Sequence, residues 1–119
     1  MIEYRNNADN NIVEITVEGK VTEADFGQVI AKLKADIEKH GKLRILEEIR
    51  SFSGIDPIVL WKDAKFGFAH VNDFTHAAVV ADAQWMRTFA QALGSVLSAE
   101  VKAFEASEIE AARDWLKNS

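Results

Sequence analysis

The chain has 119 residues, no cysteine, and a formal charge of −5 from 14 basic and 19 acidic side chains. That length suits one domain over residues 1–119, and 48% apolar residues can supply its core. The absence of cysteine excludes disulfides, thiolate metal sites and a cysteine nucleophile. The acidic balance argues against nucleic-acid binding, which needs a basic footprint. No apolar run approaches the roughly 20 residues that cross a bilayer, and the opening MIEYRNNADNN carries no apolar signal region. The expectation is a soluble cytoplasmic protein.

Residues 2–5 read as a short strand. Asn6, Asn7, Asp9, Asn10 and Asn11 follow as a turn, since such side chains bond their own backbone and tolerate left-handed geometry. Residues 12–18 set Ile12, Val13, Ile15 and Val17 against Glu14, Thr16 and Glu18, a strand with one face more polar. The two runs form a hairpin. Thr22 opens the first helix, with Asp25 at capping-box spacing. Phe26, Val29, Ile30, Leu33 and Ile37 recur at helical intervals, and Lys39, His40 and Gly41 close it.

Leu43 to Ile49 is the next strand, with Glu47 and Glu48 adjacent. Phe52, Ser53 and Gly54 make a turn, and Pro57 stands where a second helix opens, over about residues 58–71. Phe74 to Ala81 is a strand whose continuous Ala77, Ala78, Val79 and Val80 suit burial on both faces. Asp82 is placed to cap a third helix carrying Trp85, Met86, Phe89 and Leu93 and ending at Gly94. Glu100 to Phe104 is the last strand. Ser107 and Glu110 have capping-box spacing for a fourth helix that buries Ile109, Ala112, Trp115 and Leu116. The order β-β-α-β-α-β-α-β-α predicts a single α/β domain. Its sheet is mixed and mostly parallel, with right-handed crossovers, an N-terminal hairpin and four helices.

Four segments stand out: KLRILEEIRSFSG (Lys42 to Gly54), LWKDAKFGFAH (Leu60 to His70), AVVAD (Ala78 to Asp82) with Trp85 just after it, and the closing Ala112, Trp115 and Leu116. In this order they resemble the SpoIIAA-like family within the STAS domains, over nearly the whole chain. The second segment is the most specific, matching at Leu60, Trp61, Asp63, Phe66, Gly67 and His70. The resemblance implies stacked β-α units on a mixed sheet. The best-known members are anti-sigma factor antagonists, switched by phosphorylation of a serine in a D-S-S-G turn before the second helix. Here that region reads Arg50-Ser51-Phe52-Ser53-Gly54, shorter and without the aspartate. Ser53 is the nearest match, and the missing acid weighs against its phosphorylation. The branch that this chain looks like is linked, through likeness to lipid-carrier folds, to apolar-ligand or membrane-associated behaviour.

No catalytic constellation is visible. His40 and His76 lack partners at motif spacing, Asp63 and His70 stand seven apart on one helix face and are too far for direct contact, and there is no HExxH, phosphate loop or Gly-rich dinucleotide turn. Glu47 and Glu48 diverge in a strand, so a strand-end carboxylate that caps a helix or meets Arg50 is expected rather than an acid-base pair. The chain therefore reads as a non-enzyme with no cofactor and no metal.

The second helix is the unusual element. Leu60, Ala64, Phe68 and Val71 form an ordinary core stripe, while Val59, Lys62, Asp63, Phe66 and His70 share another side. Val59 and Phe66 are surplus apolar residues there, with Trp61 at the boundary, and such a surplus is either buried or a contact surface. Three arrangements fit. The surplus tucks against a neighbouring helix or the domain edge. It forms a wall of an apolar pocket with Trp85, Met86 and Phe89. Or it meets a second copy or a membrane surface, with Lys62 and Lys65 set against the net negative charge. Trp61, Phe66 and His70 are the expected contacts, with Lys62 and Asp63 as polar orienting groups. The expected function is a small regulatory or carrier module that binds an apolar or lipid-like ligand or a membrane surface through this helix. The alternative is a protein-interaction switch of the anti-sigma antagonist type. A homodimer through the same helix fits both, because an exposed aromatic helix is a self-complementary patch.

Overall fold

The apolar residues of the strands fall on both faces, so the sheet needs cover on each side. The computed structural model describes residues 1–7, 11–50, 54–55, 71–95 and 99–119. Its elements begin with β1 (Ile2–Asn7), β2 (Ile12–Val17), β3 (Lys20–Val21), α1 (Glu23–His40), β4 (Leu43–Ile49) and β5 (Gly54–Ile55). A 3-10 turn (Val71–Asp73), β6 (Phe74–Ala81), α2 (Gln84–Gly94) and β7 (Glu100–Phe104) follow, then a second 3-10 turn (Ala106–Glu108) and α3 (Ile109–Lys117).

Five strands form one sheet in the order β1-β2-β4-β6-β7. β1 pairs antiparallel with β2, and the other neighbours are parallel. The expected mixed sheet with its hairpin is present. β3 and β5 add a separate two-residue parallel ladder, pairing Lys20 with Gly54 and Val21 with Ile55. Two residues carry no periodicity, so the sequence does not signal them.

Strand alternation splits the core in two. Val13, Ile15, Leu43 and Ile45 pack with Val29 and Leu33 of α1 on one face. Ile12, Leu46, Ala78, Val80 and Phe104 pack with Ala112 and Leu116 of α3 on the other, beside Ile109 and Trp115. Leu43, Leu46 and Leu116 are fully buried, and burial of a leucine side chain contributes about 1.5–3 kcal/mol. The apolar run of β6 serves both layers, Ala77 on the α1 side and Ala78 and Val80 on the α3 side. Helix α2 packs along β7 so closely that a Cβ on Gly94 would lie 2.9 Å from the Cβ of Val101. Glycine there sets the approach distance.

The caps explain most element boundaries. The Thr22 hydroxyl accepts from the Asp25 amide at 3.2 Å, and the Asp25 carboxylate accepts from the Thr22 amide at 3.3 Å, closing the expected capping box. Gly41, at φ 79°, ends α1. Asn11 takes the left-handed conformation expected of the hairpin turn, at φ 53°. Three boundaries differ from expectation. β1 continues through Asn6 and Asn7, because pairing with Val13 and Ile12 outweighs their turn preference. Val71, expected to end the second helix, opens a 3-10 turn. At the entry to α3 the Glu108 carboxylate accepts from the Glu105 amide at 2.8 Å, so the capping contact lies two residues before the expected Ser107–Glu110 box.

Tyr4 joins β1 to α1. Its hydroxyl donates to the Asp36 carboxylate, and the Lys32 amine sits 5.8 Å from the ring centroid. Burial, then the bond to Asp36 and its charge, raise the phenol above its ordinary value of 10.0. A pKa raised by folding contributes stability below the unfolded value and loses it as pH climbs toward the folded one. Tyr4 therefore makes the fold alkali-sensitive above pH 10. In urea unfolding, Tyr4→Phe is expected to cost about 1 kcal/mol at pH 7, and to show a smaller loss of stability than the wild type between pH 9 and 11.

Candidate functional site

In open sheets of parallel strands, ligands gather outside the carboxyl ends. At the carboxyl end of β4, Arg50 Nε donates to Glu48 Oε1 at 3.1 Å. The same carboxylate oxygen lies 3.5 Å from the hydroxyl of Thr16, which is buried. Glu48 is thus the strand-end acid that meets Arg50. Glu47 projects to the opposite face, and the two carboxylates do not form an acid-base pair. At the end of β6, an Arg87 amino group donates to the carbonyls of Ala81 and Asp82, both at 2.9 Å. Asp82, expected to cap the next helix, accepts from the Ala106 amide at 3.3 Å and ties this end to the turn before α3.

Ser53, Trp61, Lys62, Asp63, Phe66 and His70 lie outside the described residues, as do the side chains of Trp85 and Phe89 in α2. Met86 is half-buried in the first turn of α2, where its amide donates to the Ala83 carbonyl at 3.1 Å.

At the opposite, amino end of the sheet, a cleft of about 300 Å³ is lined by Lys42, Asn72, Phe74, Thr75, His76 and Glu100. His76 Nδ1 lies 2.9 Å from the Thr75 hydroxyl, and Nε2 lies 3.4 Å from the mostly exposed Glu100 carboxylate. The imidazole stands edge-on to the Trp115 indole, 5.5 Å between centroids at 76°. Lys102 reaches over the rings of Phe104 and Trp115 at 5.3 and 6.0 Å. Glu100 meets His76 because the parallel register of β6 and β7 sets the two opposite each other. No sequence spacing announces that pairing. The pair supplies two candidate metal ligands, and no group of three or more such residues exists among the described residues.

The α3 face is also fastened by charge. Arg113 donates to both Glu14 oxygens, at 3.2 and 3.0 Å, and to Glu110. The bond from Glu14 raises the guanidinium above its ordinary range. Arg44 donates to the Leu116 carbonyl and, at 3.3 Å, to that of Ser119. These contacts hold α3 on the sheet. No helix among the described residues is long and apolar enough to cross a membrane.

The SpoIIAA-like family model matches residues 12–117. No curated protein matches the chain. A solved structure of an uncharacterized protein from Shewanella loihica PV-4, of the DUF3478 family with a SpoIIAA-like fold, is 21% identical with a TM-score of 0.82. The match covers 98% of this chain and 92% of that one. The likeness extends to the fold.

The geometry separates the packing of His76 against Trp115 from its contact with Glu100. His76→Ala removes the ring against Trp115 and is expected to cost about 1–2 kcal/mol in urea unfolding. Glu100→Gln removes only an exposed partner and is expected to stay within about 0.5 kcal/mol of the wild type.

Proposed function

The chain belongs to the SpoIIAA-like family, and from that premise we propose that it is a small non-enzymatic regulatory or carrier module. It binds an apolar, lipid-like molecule or a membrane surface through residues 58–71. The observation that carries this reading is where the apolar surplus lies. Among the described residues, Met1 is the one large apolar side chain left fully exposed. The sequence meanwhile concentrates Val59, Trp61 and Phe66 beyond one core stripe within residues 58–71. His70 adds a contact there, and Lys62 and Asp63 orient it.

The test is direct. The purified protein is extracted for lipid, examined by native mass spectrometry, and floated with phosphatidylglycerol vesicles. An apolar molecule that co-purifies, or flotation with the vesicles, is the expected result, and Phe66→Glu should weaken the association at least tenfold. Absence of any apolar ligand and of flotation at high micromolar protein overturns the reading.

A second reading rests on Ser53 and Gly54, which stand where the family's switch turn stands. The module then binds a partner protein and is released when Ser53 is phosphorylated. Ser53→Asp should weaken partner capture while Ser53→Ala preserves it. Equal capture by both variants ends this version.

A further inference from the structure

The geometry of β1 points to an association site that does not involve residues 58–71: its outer edge fits the β1 edge of a second copy of this chain, antiparallel and centred on Tyr4. The sheet order leaves β1 at one margin, with no described strand on its far side. Which backbone groups face outward follows from the first pair. The Met1 amino group donates to the Glu18 carbonyl at 2.6 Å, and the Glu18 amide donates to the Met1 carbonyl at 2.9 Å. Antiparallel ladders alternate bonded and non-bonded pairs, so Glu3 and Arg5 bond inward to Thr16 and Glu14, their register partners. Ile2, Tyr4 and Asn6 therefore present their amides and carbonyls to the open edge.

Side-chain charge then selects a register. A second β1 can bond to more than one of these outward residues at a time when the two-fold axis passes through Glu3, Tyr4 or Arg5. Centring on Glu3 places Glu3 opposite Glu3, and centring on Arg5 places Arg5 opposite Arg5. Both oppose like charges, which is destabilising. Centring on Tyr4 bonds Tyr4 to Tyr4 and Ile2 to Asn6, and sets Glu3 opposite Arg5 twice. Those opposed residues form the closer, non-bonded class of pair, where side chains interact most. Glu3 and Arg5 are both exposed. The internal contact of Arg5 with Glu14, at 3.5 Å, is an exposed one that leaves the guanidinium accessible. The other margin differs, because on β7 Glu100 lies against His76 and Lys102 over Trp115. An edge of this length makes a small interface, so the association is weak and concentration-dependent.

The chain has no cysteine, so introduced thiols report the register. Glu3→Cys and Arg5→Cys chains are purified separately, then oxidised mildly, alone and mixed. Disulfide-linked pairs are expected in the mixture and not in either variant alone. No cross-link in the mixture, or faster linkage of either variant with itself, overturns the proposed register. Sedimentation equilibrium gives the independent measurement. The wild-type mass should rise with concentration, Glu3→Arg should weaken association about tenfold, and Glu3→Arg combined with Arg5→Glu should restore it. A single-chain mass at every concentration overturns the association itself. Phe66→Glu should leave it unchanged, so the failure of this site and the failure of the apolar-contact reading give different results.

Discussion

The constraint on which the rest depends is two-sided burial of the strands β2, β4 and β6. Parallel neighbours joined by crossovers need cover on both faces, and here α1 supplies one and α3 the other. Each strand divides its apolar residues between two cores, Ile45 with Ala77 on one side and Leu46 with Ala78 on the other. A one-residue slip of any central strand would exchange the two sets. Register is therefore held by packing, and register in turn places every pair that matters at the sheet ends, including His76 with Glu100.

The two covers are unequal. α1 has eighteen residues and α3 has nine, so α3 leaves much of its face to polar side chains. Glu14, Thr16, Arg44, Glu48 and His76 all project there, and each meets a partner. Arg113 to Glu14 and Arg44 to the end of α3 convert what would be an uncovered margin into a fastened one. A half-buried ion pair of this kind contributes little by itself but is costly to break on one side only. The short helix is thereby fixed in one position.

Much of the fold was legible because its determinants are local. The Thr22–Asp25 box, Gly41 and the period of Val29 and Leu33 mark α1 without any tertiary information. The unbroken apolar run of β6 announced burial on both faces. The misses arise where contact outweighs propensity. Asn6 and Asn7 favour a turn, yet pairing with β2 keeps them extended. Asp82 binds the amide of Ala106 across the sheet end, a contact that no local pattern announces. The site was less legible. The apolar surplus of Val59, Trp61 and Phe66 is visible on a helical wheel, but what such a surplus touches depends on tertiary placement. The cleft beside His76 was invisible because Glu100 reaches it through strand pairing across 24 positions of sequence.

The hairpin of β1 and β2 is the sheet's one antiparallel pair, formed by strands that adjoin in sequence. Every other strand pair in the five-stranded sheet closes a longer loop, and such closures are slow because their entropy is lost before the contacts form. The hairpin can assemble early, while its partners are still unpaired and other unfinished chains are nearby. During that interval an open strand edge is a hazard, since any extended segment can add to it. Glu3 and Arg5, two residues apart and opposite in charge, repel their own kind in two of the three antiparallel alignments that bond more than one residue of the edge. The charges on the first strand thus disfavour two of its three self-pairings at the stage when that edge is most open.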